Sequence, residues 1–100
     1  MTFKKFSIPQ LERHIRRIVA QPTRVLWTRH AKQRMRQRHV SLEDALECLR
    51  KGRIGLPPEV DIPSARLICR LQWYGAARNV QVCVALDDED PELIVVTVIA

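Results

Sequence analysis

"RIGLPPEVDIPS", residues 53 to 64, separates two stretches of different periodicity. Pro57, Pro58 and Pro63, with Gly55 inside the segment and Gly52 just before it, break any regular element that would run through. Before this break, apolar residues recur every three or four positions, as on one face of a helix. After it they alternate, as in strands with one buried side.

On the N-terminal side, "VSLEDALECLRKG" (40–52) puts Ser41 and Asp44 at capping-box spacing and Leu42, Ala45, Leu46 and Leu49 on one stripe. Arg50 and Lys51 stand at the negative end of this helix, and Gly52 closes it. "SIPQLERHIRRIVA" (7–20) repeats the arrangement, with Ser7 and Gln10 as the box, Pro9 in the first turn, and Ile8, Leu11, Ile15, Ile18 and Val19 as the stripe. Between them, "QPTRVLW" interrupts helical periodicity with a short extended segment at Arg24 to Trp27, and Thr28 caps a middle helix reaching about Arg38. Beyond the break, Leu67, Cys69, Leu71 and Trp73 face one way and Arg66, Arg70 and Gln72 the other. Val80, Val82, Val84 and Leu86 alternate with Gln81, Cys83 and Ala85, while "ELIVVTVIA" (92–100), polar only at Glu92 and Thr97, reads as an interior strand. "YGAAR" and "DDEDPE" are the turns of an antiparallel meander. Helices first and strands afterwards predict an α+β fold: N-terminal helices packed on one face of a three- to four-stranded antiparallel sheet.

A chain of 100 residues fits a single domain. No apolar run approaches the roughly 20 residues that cross a bilayer, so no membrane is expected. The N-terminus has no uninterrupted apolar stretch of a secretory signal, and its arginine-rich, acid-poor composition is read as a structural helix rather than a transit peptide. Cys48, Cys69 and Cys83 are an odd and widely spaced set, which argues against a disulfide framework and for the reducing cytoplasm. Those cysteines with His14 and His39 lack the short spacings of a zinc site. "DDED" (87–90) lacks the glycine and spaced ligands of a calcium loop. Neither a metal nor any other cofactor is expected.

Charge is concentrated in one part of the chain. Residues 1 to 40 hold eleven Lys and Arg against Glu12 alone, whereas residues 41 to 100 hold six basic and ten acidic residues. A net charge of +6 distributed in this way makes a positive face that attracts polyanions, which favours nucleic acid or an anionic membrane surface as partner, an acidic protein fitting equally well. "WTRHAKQRMRQRHVS" (27–41) is its densest part. At 100° per residue from His30, Arg34 falls near 40°, Arg38 near 80°, Ala31 near 100° and Met35 near 140°. Arg29, Lys32 and Arg36 fall on the opposite side, at about 200° to 260°. They form a solvated face, while His30, Arg34 and Arg38 border the stripe that packs on the core. A guanidinium there requires a carboxylate, backbone carbonyls or a phosphate. Pairing of Arg34 and Arg38 with Glu43, Asp44 or Glu47 is the structural alternative.

"WTRHAKQRMRQRHVSLEDALECLRKGRI" together with "ICRLQWYGAARNVQVCVALDDEDPELIVVTVI" resembles the DUF4258 family of small bacterial proteins. The resemblance rests on His30, Ala31, Arg34, Met35, Arg38, Ser41, Leu49, Gly52, Arg78, Val96, Thr97 and Val98, and covers residues 26–99 as a core, with 1–23 as an N-terminal helical extension. The chain departs from the family pattern at His39 and Ala77, where glycine is usual. The family is similar to RelE/MqsR-like toxins and to the barnase-EndoU-colicin-RelE class of metal-independent ribonucleases. The resemblance therefore implies a ribonuclease toxin acting on RNA, including ribosome-associated mRNA, with a cognate acidic antitoxin as partner.

Such chemistry needs a proton-transfer group and cations for the phosphorane charge. Histidine, with an ordinary pKa of about 6.5, moves protons near neutral pH, which makes His30 the candidate. Arg34 and Arg38 are candidate phosphate clamps, with Arg29, Lys32 and Arg36 as further nucleic-acid contacts. Arg78 is a candidate third positive group at the catalytic site, and Tyr74 a candidate base-stacking group or proton donor. A non-catalytic nucleic-acid-binding module, or a protein-interaction domain, uses the same residues without proton transfer.

Overall fold

The computed structural model describes residues 2–75 and 78–99, with the backbone alone for Val98 and Ile99. Ala76 and Ala77 of the "YGAAR" turn, the second family departure among them, and the terminal Ala100 lie outside the described residues.

Three helices and six strands appear in the order α1 (Ile8–Val19), β1 (Val25–Trp27), α2 (Arg29–Arg38), α3 (Leu42–Lys51), β2 (Arg53–Ile54), β3 (Glu59–Val60), β4 (Leu67–Tyr74), β5 (Asn79–Asp87) and β6 (Asp90–Ile99). The strands form one sheet in the order β1-β6-β5-β4-β2, with β3 also paired to β4. The fold is α+β, and its sheet is larger than the three or four strands read from alternation. Of the additional strands, β1 falls in the extended segment read at Arg24 to Trp27, while β2 and β3 are two residues each, too short to show a period of two. The strand β1 also runs parallel to β6, the one parallel pair among the described strands, because α2 and α3 carry the chain away before β4 begins.

Both capping boxes form. The Ser7 hydroxyl accepts from Gln10 N–H while the Gln10 side chain accepts from Ser7 N–H, and Ser41 and Asp44 make the same exchange. The inward faces of α1 and α3 supply Leu11, Ile15, Ile18, Val19, Ala45, Leu46 and Leu49 to the core. Ile8 departs from its stripe and is 36% exposed. The sheet contributes Leu67, Cys69 and Leu71 from β4, Val80, Val82, Val84 and Leu86 from β5, and Ile94 and Val96 from β6. Burial pushes the Cys48 and Cys69 thiols up to about 12, so both stay protonated, and Cys48 donates to the carbonyls of Leu71 and Val80.

Thr97 sits where the β5–β6 register shifts, between the pairs Cys83–Val98 and Val84–Val96. Its hydroxyl donates to Cys83 O at 3.3 Å, a carbonyl in this irregular stretch of the ladder. The one polar residue of the apolar run 93–99 thus serves the bulge.

His14 is buried on α1 against the Phe3 ring, with Nε2 2.8 Å from Pro91 O and Nδ1 3.3 Å from the Arg17 guanidinium. Since Arg17 only donates, Nδ1 is the acceptor and Nε2 carries the proton. Burial, with the Arg17 charge added, holds this imidazole below its ordinary value of 6.5, against the raising effects of the Pro91 bond and Glu92. The folded state therefore resists a proton that the unfolded chain accepts, so the His14 contribution is complete above 6.5 and is lost as pH falls below it. Urea midpoints are expected to decline from pH 7 to pH 5.5 in the native chain and to stay level in His14→Gln. Equal declines in both would assign the effect elsewhere. The lowered carboxyls of Glu47 and Glu92 act in a separate window, below their ordinary 4.5.

Candidate nucleic-acid interface

Residues 29–38 form a helix tied to the sheet at both ends. At its start, the Thr28 hydroxyl accepts from Ala31 N–H and donates to Thr97 O, while Thr28 N–H bonds Val96 O. At its end, Val40 N–H reaches Met35 O at 2.9 Å and His39 N–H reaches Arg36 O at 3.4 Å, the paired bonds of a Schellman turn. This turn puts His39 at φ 55°, in the left-handed region. Glycine, the usual family residue there, enters that region without the Cβ clash that a histidine must bear, of the order of 1 kcal/mol.

The Arg38 and His39 carbonyls point past the end of the turn, and the Arg78 guanidinium donates to both. Its charge lies against the negative end of the helix. Arg16 does the same for α3, donating to Arg50 O and Gly52 O. Sequence reasoning read Arg78 as a positive group for substrate. Its bonds instead make it a tie between the start of β5 and the end of α2.

The side chains of α2 divide into three groups. Ala31 is buried and Met35 half-buried against the core. Arg34 is half-buried and already engaged within the chain. His30, Arg29, Lys32, Arg36 and Arg38 are exposed. Of the His30–Arg34–Arg38 edge read as bordering the packed stripe, Arg34 is half-buried while His30 and Arg38 are exposed. The helix meets the sheet mainly at β6, too narrow a contact to cover that edge.

Arg29, Lys32, Arg36 and Arg38 make no ion pair among the described residues. The acids that would answer them are occupied: Glu43 and Glu47 pair with Arg50, Glu47 also with Lys51, and Asp44 serves the α3 cap. Elsewhere Glu92 pairs with Arg17 and Arg24, Asp87 with Arg66, and Glu12 with Arg53. Of the two arginines in the structural alternative, Arg38 does not pair with the α3 acids among the described residues, and Arg34 is engaged within the chain.

Two concavities border α2. One is an open groove of about 740 Å³ with Met35 and Val40 as apolar lining and Lys32, Arg36, His39 and Ser41 around it. The other, about 280 Å³, lies between Arg38, Val40, Arg78, Asn79 and Gln81. Of the sequence-read candidates, Arg38 and Arg78 meet in this second cavity. His30 is not in its lining, standing two turns up the helix, about 12 Å along the axis from Arg38. Tyr74 is 73% exposed at the end of β4, across the ladder from Asn79. Asn79 and Gln81 were missed by sequence reasoning. Their signal was slight: two amides on the polar side of a strand whose other side is Val80, Val82, Val84 and Leu86.

No described helix is long and apolar enough to cross a membrane, and among the described residues no three His, Cys, Asp or Glu side chains gather to hold a metal ion. No curated protein and no solved structure matches the chain. The family model described as a domain of unknown function, DUF4258, matches residues 27–100, a span that begins at the end of β1 and takes in α2, α3 and the rest of the sheet. The chain belongs to the DUF4258 family.

Proposed function

We propose that this protein is a metal-independent ribonuclease of the RelE-like toxin type, acting on cytoplasmic RNA held along α2. The carrying observation is that Arg29, Lys32, Arg36 and Arg38 stand exposed with no carboxylate partner among the described residues, while neighbouring acids are spent on other cations. These cations, Arg29, Lys32 and Arg36 on one side of the helix and Arg38 at its C-terminal end, fit the phosphates of a nucleic-acid backbone that passes along the helix and round its end. His30 lies on the same helix, one turn before Arg34. In the reaction, the ribose 2′-oxygen forms a bond to the adjacent phosphorus and the bond to the 5′-oxygen breaks. The 2′-proton passes to the His30 imidazole, and the leaving 5′-oxygen takes up a proton from solvent water. Arg34 and Arg38 carry the added phosphorane charge. Arg78 is a positioning residue, fixing the C-terminus of α2 and with it Arg38. An acidic antitoxin that covers α2 would compete with RNA for the same cations.

One observation favours binding without cleavage: the cavity holding Arg38 and Arg78 does not include His30. Both readings meet the same assay. Incubated with total RNA in the presence of a chelator, the protein is expected to give fragments with 2′,3′-cyclic phosphate and 5′-hydroxyl ends. His30→Ala is expected to abolish the fragments while retaining RNA binding and the unfolding midpoint. Intact RNA at catalytic ratios, with binding preserved, would select the binding-only reading. A His30→Ala protein that still cleaves would remove His30 from the mechanism.

A further inference from the structure

The face of the sheet opposite the helices carries a second feature. Cross-strand partners share a face, so Tyr74 lies with Asn79, Gln72 with Gln81, and Arg70 with Cys83, all turned away from the core residues Leu71, Trp73, Val80 and Val82. The cavity beside Arg38 and Arg78 shares Gln81 with a neighbouring cavity of about 270 Å³ lined by Gly55, Leu56, Arg70, Gln72 and Gln81. The two cavities, joined at Gln81, thus form a trough that leaves the end of α2, crosses the amides of the open face and reaches Arg70 beside Leu56. The register residue of Arg70 is Cys83, five residues from Arg78, which makes the trough roughly 17 Å long. Arg70 and Leu56 also border a further small cavity whose other lining, Pro57, Ile68 and Glu59, is apolar and acidic and offers an RNA phosphate no cation.

We infer that this trough is a base-reading track for single-stranded RNA, resting on the RNA reading of α2: Arg38 and Arg70 take backbone phosphates at either end, and Asn79 and Gln81 read base edges between them. Carboxamides suit this position because each offers a donor and an acceptor in one plane, the pattern displayed by a base edge. Exposed Tyr74 beside Asn79 gives a ring on which an unpaired base stacks. Bases in a duplex are already stacked and paired, so the occupant is single-stranded.

The test measures binding of octaribonucleotides of A, C and U to the full chain, made cleavage-deficient by His30→Ala. The preferred base is expected to bind at least about fivefold tighter than the weakest. Asn79→Ala/Gln81→Ala should bring the three within about twofold of each other without changing the salt dependence. Gln81→Glu, which keeps the side-chain shape but replaces an amide donor, should change the order of preference. Arg70→Ala should leave the order intact and reduce the salt slope by about 0.7. Salt-dependent but base-blind binding, or a preference that survives the double substitution, overturns the track and leaves the α2 reading standing. Absence of binding to every oligonucleotide overturns both.

Discussion

Gly52→Ala is expected to destabilise the protein by about 3 kcal/mol, at the upper end of overpacking penalties. For a domain of this size that lowers the thermal midpoint by roughly 12–24 °C. Gly52 is buried, and its φ of −68° is open to any residue. What excludes a side chain is space: a Cβ would fall on the Cys48 carbonyl oxygen and 3.0 Å from Gln72 O. Both obstacles are backbone, one in α3 and one in β4, and neither swings aside as a side chain would. Moving Gly52 would also disturb the Arg16 bond to its carbonyl and the Ile54 N–H bond to buried Glu12. Thermal unfolding of the single variant checks this. A shift of less than about 2 °C would show that the α3–β2 junction has slack.

The second large effect concerns binding and leaves the fold alone. Lys32→Glu/Arg36→Glu is expected to weaken single-stranded RNA binding on the order of 100-fold at low salt, because two attractive phosphate contacts become repulsive. Both residues are exposed and unpaired among the described residues, so the unfolding free energy should change by no more than about 0.5 kcal/mol. The same reversal at Arg50 and Lys51 is the useful contrast. Those cations already face Glu43 and Glu47, so they offer RNA little attraction, and reversing them is expected to disturb stability more than binding. A loss of RNA affinity below threefold for the α2 pair would take phosphate binding away from this helix.

The proline-rich break at 53–64 correctly divided helices from the main strands, and Ser7, Thr28 and Ser41 each mark a helix start in the structure. These signals are local: a cap bonds within three residues, and a buried face repeats within one element. What escaped the sequence was everything set by partners distant along the chain. The parallel pairing of β1 with β6 joins residues near 26 to residues near 95 and leaves no mark in a three-residue strand. Arg78 looked like a free cation until its bonds to the carbonyls of Arg38 and His39 were seen, forty residues away. Glu12 entered the sequence reading only as the single acid among residues 1–40, yet it is buried and takes the Ile54 N–H. Exposure of Arg38 followed from how little of the sheet α2 covers, which helical phase alone does not contain. Gly52 was read correctly as the end of α3, but for want of the packing its role appeared as a terminator rather than as the point of closest approach to β4.

Unpaired cations on α2 as a phosphate-binding row are the centre of this account, and the salt dependence of RNA affinity tests them most directly. For three or four phosphate contacts to a single strand, the logarithm of the binding constant against the logarithm of salt concentration should fall with a slope of about −2 to −3. Replacing Lys32 and Arg36 together by alanine should reduce the slope's magnitude by about 1.4. A slope near zero in the native chain, or one that the two substitutions leave unchanged, would contradict the account.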